Sequence, residues 1–301
     1  MRVIVTGAGG FLGRHVVARL SRDHDVLATD IQPCADGSAI TGDLCDPDLL
    51  DRLFAGRCDA VIHLASLPGG ACETDPAEGW RVNVEATRAL AAAAVQHGVH
   101  RFIYASSIAV FGDVSDRIQV DDETELRPTL LYGAHKAMME TWLATLGRRG
   151  ALRPLALRLP GLVARPGQGH GLKSAFLSDL FHAGIERRPV RLPVSDAATL
   201  WLMSGRCAAD NLAHALRLPI TSVPDNGALT LPALRVRISD LVAAIDRHTR
   251  HVLQVDYAPD PLIERDFGAY PQLRTPDAEV LGFAHDGDLD RLVAAAMEDL
   301  T

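Results

Sequence analysis

The sequence predicts an α/β protein: a doubly wound parallel sheet with helices on both faces and a smaller C-terminal lobe. Three observations carry this. The chain opens with a strand over residues 2–6, a glycine-rich turn over 7–13, an apolar helix, and a second strand that ends in Asp30. Continuous apolar runs at 59–66 and 101–107 have the character of parallel strands buried on both faces. Helical patterns fall between the strands, the alternation that builds parallel sheets.

The opening segment reads as a Rossmann-like dinucleotide site. Gly7 permits the tight turn off the strand, Gly9 and Gly10 let backbone amides approach a pyrophosphate, and Phe11 and Leu12, which open the helix, are expected to bind the cofactor with them. Gly13 then lets that helix pack closely on the sheet. Asp30 falls at the tip of the second strand, where a carboxylate accepts from both hydroxyls of an adenosine ribose and repels a 2′-phosphate. The neighbouring Ile31 offers no positive charge to offset that repulsion, so the expected cofactor is NAD rather than NADP.

Composition narrows the partners. A chain of 301 residues with 48% apolar content can bury a large core. A net charge of -8 gives no basic footprint for nucleic acid or an anionic membrane, which leaves a small molecule as the expected partner. The sequence opens on a strand rather than a basic, cleavable leader, and no apolar run approaches the roughly 20 residues that span a bilayer. A cytoplasmic location is expected. Five cysteines without a C-x-x-C pair suit reduced thiols with packing roles.

In order along the chain, residues 39–44 read as a short third strand that brings Asp43 and Leu44 to the cofactor edge. Asp43 is either an acceptor for the adenine amino group or a solvated loop acid. Asp46 and Pro47 start a helix as cap and first residue. The apolar strand at 59–66 presents Leu64, Ala65 and Ser66 to the ligand at its C-terminal end, and a loop with Gly69 and Gly70 leaves room above the nicotinamide for substrate. An Ala-rich helix spans 76–97 and carries Asn83, a candidate to hold backbone or water near the site. Ser107 ends the strand at 101–107 on the ligand face. Tyr132 and Lys136 stand four apart on a helix that begins near Leu130, so both side chains share one face.

A strand at 154–158 leads to Pro160, expected beside the cofactor, and Pro166, Gly167, Gly169 and Gly171 then break the chain before a helix over 173–183. Residues 1–165 are read as the NAD-binding domain and 166–301 as mainly a substrate lobe, some of whose segments return to the first. Helices are expected at 204–216, 238–248 and 286–300, with a strand at 228–231. His248 and His251 have no third ligand nearby and read as surface histidines; no metal is expected.

Together, the turn from Gly7 to Gly13, the strand end Ser106-Ser107 and Tyr132-Gly133-Ala134-His135-Lys136 resemble the extended short-chain dehydrogenase/reductase family of NAD-dependent sugar epimerases and dehydratases. The likeness covers residues 1–165, with Phe111 where many members have tyrosine. It implies Tyr132 as catalytic base, Lys136 as its partner, Ser107 as the hydroxyl that orients substrate, and Asn83 as a supporting residue. Tyrosine titrates near pH ~10, so it serves as a base at neutral pH only where positive charge stabilises the phenolate. Lys136 and the nicotinamide ring supply that charge. The resemblance also implies a homodimer paired through the helix at 76–97 and the helix of Tyr132.

Beyond Arg158 the chain lacks the asparagine-containing segment by which nucleotide-sugar enzymes commonly hold substrate. Residues 66–71 and 200–206 instead resemble the D-erythronate dehydrogenase branch, which oxidises a four-carbon sugar acid at its second carbon. Its anionic substrate needs a cationic anchor: Arg206, placed with Trp201 where the lobe closes over the nicotinamide, with Arg165 as the second candidate. The alternatives are a nucleotide-sugar epimerase or dehydratase and a non-catalytic NAD-sensing protein.

Overall fold

The computed structural model describes residues 1–34, 37, 39–99, 101–165 and 175–300. The chain begins with β1 (Arg2–Thr6), α1 (Phe11–Leu20) and β2 (Asp25–Asp30). β3 is only Ile40–Thr41. α2 (Pro47–Phe54) starts where the Asp46 carboxylate accepts the Asp48 amide at 3.0 Å, with Pro47 at the position where a missing N–H costs nothing. After β4 (Ala60–His63) come α3 (Gly69–Thr74), α4 (Pro76–Trp80) and α5 (Ala86–Gln96). Two expectations change here. Gly69 and Gly70 form the first turn of α3 rather than an open loop, and the single helix expected over 76–97 is divided by a π-helical turn, Arg81–Glu85. A π-turn adds a residue to the helical repeat, which no apolar period announces.

β5 (Arg101–Ser107) runs into a 3-10 turn, Ile108–Phe111, and on to β6 (Gln119–Val120), α6 (Leu131–Arg148), β7 (Arg153–Leu159) and β8 (Gly161–Val163). The expected breaks at Pro166, Gly167, Gly169 and Gly171, and the helix start at Lys173, lie outside the described residues. From there the chain forms α7 (Ala175–Glu186), β9 (Val190–Leu192), β10 (Thr199–Ser204), α8 (Gly205–Ala215), β11 (Ala228–Thr230), β12 (Leu234–Arg237) and α9 (Ile238–Thr249). β13 (Val255–Tyr257), α10 (Pro261–Phe267), β14 (Gln272–Leu273), α11 (Pro276–Val280) and α12 (Leu289–Glu298) complete it.

The main sheet has seven strands in the order β11-β7-β5-β4-β1-β2-β3, every pair parallel. Alternation along β1 divides the core between the two faces. Val3 and Val5 pack with Val16 of α1 and Leu212 of α8, while Ile4 packs with Leu53, Leu90 and Leu143 of α2, α5 and α6. Strand order reverses between β1 and β4, which opens a crevice at their C-terminal ends.

The two halves of the chain exchange segments. β8 leaves the main sheet for a three-stranded sheet ordered β12-β10-β8, β11 returns from the second half to lie beside β7, and β6 pairs with β14. A second core, with Phe176 and Phe181 of α7, Leu200 and Leu202 of β10, and Leu292 of α12 among its members, fills the smaller lobe. No helix among the described residues is long and apolar enough to cross a membrane.

Candidate active site

The crevice between β1 and β4 has the features of a dinucleotide cradle. Gly7 adopts φ +68°, and a Cβ there would come within 2.7 Å of the Ala65 amide nitrogen. At Gly13 a Cβ would overlap the Gly7 carbonyl, so only glycine lets α1 approach β1 this closely. The amides of the turn are distributed differently from the sequence expectation. Gly9 N–H donates to the Asp30 carboxylate at 2.9 Å and Gly10 N–H to the Gly7 carbonyl at 3.1 Å. No side chain caps α1, so the amides at its start, those of Phe11 and Leu12 among them, can serve a pyrophosphate.

The adenosine end of the crevice is lined by Asp30, Ile31, Asp43 and Leu44, with Leu64, Ala65 and Ser66 on the β4 side. Asp30 accepts from Gly9 N–H and, at 3.0 Å, from Gln32 N–H, so each oxygen is oriented and keeps a lone pair for a ribose hydroxyl. Asp43 accepts the Cys45 amide at 2.8 Å and pairs with Arg81. Burial pushes its carboxyl up, but the amide and the guanidinium outweigh burial and hold it below its ordinary value. It is an ion-paired wall residue rather than a free loop acid. These residues fit NAD.

The nicotinamide end is where the catalytic candidates converge. Ser107, Tyr132, Lys136, Pro160 and Arg165 line one continuous cavity with the start of α1. Ser107 caps the 3-10 turn, its oxygen accepting the Ala109 amide at 3.1 Å, which leaves its proton to donate. Lys136 donates to the Ala105 carbonyl at 2.7 Å and lies 5.5 Å from the Tyr132 ring centre. Burial lowers its ammonium from 10.5 to about 7, against which Glu140 pulls upward. Burial likewise raises the Tyr132 phenol, opposed by the Arg165 guanidinium and then by the hydroxyls of Ser107 and Ser66. Arg165 is thus a positive neighbour of the phenol that sequence reasoning did not assign to it.

Asn83 does not reach the reacting groups. Carried inward by the π-turn and 1% exposed, it accepts the Ser66 hydroxyl at 3.0 Å and the Leu67 amide at 2.7 Å, and donates to the Leu67 carbonyl at 3.0 Å. It positions the backbone beyond β4 through Ser66 and Leu67, the backbone-holding role for which the sequence made it a candidate. Below it lies a chain of hydrogen bonds that sequence reasoning missed. The Thr87 hydroxyl donates to the Asn83 carbonyl at 2.8 Å, so its oxygen accepts from His63 Nε2 at 2.8 Å. His63 Nδ1 therefore accepts from Thr6 at 2.7 Å. Burial holds His63 neutral, its value lowered to about 3.

A second unforeseen network supports α6. Glu140, one turn beyond Lys136, receives Arg158 at 2.8 Å and the Ser106 hydroxyl, and both members of the ion pair are nearly inaccessible. Arg158 also lies over the Phe111 ring, 5.3 Å from its centre, where a tyrosine is common in the family the sequence resembles. The spacing of Tyr132, Lys136 and Glu140 on one helix face was the available signal.

Above Tyr132 a cavity continues between Gly69 and Gly70 on one side and β10 on the other. Trp201 lines it, ring N–H donating to the Pro271 carbonyl at 2.8 Å and ring tilted against Tyr270. Tyr270 and Phe267 reach it from far along the chain, and no local motif marks them. The two candidate anchors separate. Arg206 lies on the outer face of α8, 58% exposed and paired with Glu298, so it is not in the cavity. Its position after β10 places Ser204 and Gly205 inward and turns the next side chain to solvent. Arg165, at the end of β8, lines the cavity and has no ion-pair partner among the described residues. Burial lowers its guanidinium, with Tyr132 the opposing influence.

A glycine cradle ending in an oriented aspartate, joined to a Ser, Tyr and Lys set lining one cavity, is the arrangement of an NAD-dependent enzyme acting on a CH–OH group. The chain belongs to the NAD dependent epimerase/dehydratase family, whose model matches residues 3–196. It is 32% identical to a D-erythronate dehydrogenase of Cupriavidus necator, over 99% of this chain and 98% of that protein. A D-erythronate dehydrogenase of Haemophilus influenzae is 27% identical over 99% of each. Among solved structures, a nucleoside-diphosphate-sugar epimerase from Agrobacterium tumefaciens superposes with a TM-score of 0.87 at 26% identity, covering 99% of this chain and 94% of that one.

Proposed function

We propose that the protein oxidises the C2 hydroxyl of a small sugar acid to a ketone, with D-erythronate, giving 2-dehydro-D-erythronate, as the first candidate substrate. One observation carries the reading: a partly buried guanidinium, Arg165, lines the same cavity as the candidate base Tyr132 with no carboxylate of the described residues to neutralise it. A buried charge is costly unless paired, and a substrate carboxylate supplies the missing partner. Arg165 and Tyr132 line the same cavity, an arrangement that suits a substrate whose reacting hydroxyl lies close to its carboxylate. The two D-erythronate dehydrogenases, similar over the full chain, support the same class.

The residues then divide the work. Arg165 orients the acid, Ser107 donates a hydrogen bond to the oxygen at C2, and Tyr132 takes its proton while Lys136, held by the Ala105 carbonyl, favours the phenolate. NAD, when bound, supplies the acceptor for the hydrogen and two electrons that leave C2. Asn83 keeps Ser66 and Leu67 in place beneath it. The acidic charge and cysteines that form no disulfide among the described residues suit a cytoplasmic enzyme, and α4, α5 and α6 are the elements through which it pairs as a homodimer.

The test is Arg165→Ala against Arg206→Ala. Loss of a bidentate anchor removes roughly 1.5 to 3 kcal/mol per charge-assisted bond, so kcat/KM for D-erythronate falls on the order of 100-fold or more in the first variant. The exposed Arg206 pair is worth about 0 to 1 kcal/mol to stability and nothing to turnover. Equal effects of the two substitutions would place the anchor elsewhere.

A further inference from the structure

Three polar side chains of the cavity are taken up by the proposed C2 oxidation: Arg165 by the carboxylate, Tyr132 and Ser107 by the hydroxyl that reacts. The wall around the rest of the substrate differs in kind. Among the described residues it is built by Leu177 of α7, Leu200 and Leu202 of β10, Phe267 at the end of α10, and Ile108 of the 3-10 turn. Trp201 adds an indole whose N–H is already given to the Pro271 carbonyl. Tyr270, whose ring centre is 4.8 Å from that of Trp201, carries the one side-chain hydroxyl that remains among the described lining residues.

A polyol tail suits such a wall poorly. Each hydroxyl that leaves water needs donors and acceptors in return, and the side chains of the described lining offer few. An aliphatic tail meets no such cost and gains from removal of its surface from water. We infer that the cavity accommodates 2-hydroxy acids whose carbon chain beyond C2 is aliphatic at least as well as their polyhydroxylated counterparts. This rests on the C2 oxidation proposed above. The step is unchanged: the hydroxyl proton goes to Tyr132, the C2–H bond breaks with its electron pair passing to NAD, the C2 carbonyl forms, and the products are a 2-oxo acid and NADH.

A matched set of substrates tests this. 2-Hydroxybutyrate is erythronate without its C3 and C4 hydroxyls, and 2-hydroxypentanoate extends it by one methylene. A site built to hydrogen-bond the tail rejects the deoxy acid by several powers of ten, whereas an apolar site rewards the added methylene by about tenfold or more. With the full chain and NAD, kcat/KM for (R)-2-hydroxybutyrate is expected within about tenfold of that for D-erythronate or above it, and to rise again for the five-carbon acid. A second readout is calorimetric titration of both acids into Tyr132→Phe with NAD, where the deoxy acid binds as tightly as the polyol. Oxidation of D-erythronate with 2-hydroxybutyrate slower by more than tenfold overturns the inference and leaves the C2 reading intact. Release of no NADH from any 2-hydroxy acid overturns both.

Discussion

The Asp30 carboxylate accepts the Gly9 amide at 2.9 Å, so the residue that would select the ribose also braces the turn that would bind the pyrophosphate. Cofactor choice and turn geometry are therefore coupled. Asp30→Ala removes the repulsion of a 2′-phosphate and the brace together. The protein as it stands is expected to prefer NAD by a wide margin, and the variant to narrow that preference while weakening NAD itself. Titration of both dinucleotides checks this, and equal binding of NADP by the unaltered protein would count against it.

Tyr132 is expected to act only in the chemical step. Tyr132→Phe should bind NAD as the parent does and lose roughly 100- to 10,000-fold in kcat, the range associated with removal of a positioned acid or base. Fluorescence titration and steady-state rates separate the two effects. A turnover number near that of the parent would remove Tyr132 from the role.

The chain has two lysines, Lys136 and Lys173, so selective labelling gives a spectrum with few signals to assign. One lysine should titrate near pH 7, and that signal should vanish in Lys136→Met. Between about 7 and 10.5 the unfolded chain holds a proton at this position that the folded chain releases, so stability gains from this group as pH rises through that window. The penalty is full below pH 7. Lys136→Met should therefore raise Tm more at pH 6 than at pH 9, and a difference that does not change with pH would contradict the buried, shifted ammonium.

Trp80 of α4 is 42% exposed, and Leu131 and Met138 of α6 are 39% and 45% exposed, an apolar surface on the elements proposed to pair. Sedimentation of the parent should give a dimer at micromolar concentration, and Met138→Glu should shift it toward monomer. A monomeric parent would remove the homodimer.

What was legible in the sequence was local. The turn at Gly7, the helix cap at Asp46 and the shared face of Tyr132 and Lys136 depend on backbone sterics and helical periodicity, which neighbouring residues specify. The brace within the turn was not legible, because only the packed turn shows that Asp30 takes Gly9 N–H. Nor was the anchor. Arg206 is turned to solvent against Glu298, a partner 92 residues away, while Arg165 gains its place from β8 leaving the main sheet. Asn83 depended on a π-turn, and Phe267 and Tyr270 join the cavity through tertiary contact alone.

The central claim, net oxidation of a 2-hydroxy acid, is tested most directly by the stoichiometry of NADH. Incubation with NAD and D-erythronate should release NADH and a 2-oxo acid in equal amounts. Nucleotide sugars under the same conditions should be returned unchanged. Conversion of a nucleotide sugar without net NADH, beside no NADH from D-erythronate or its deoxy analogues, would contradict the account.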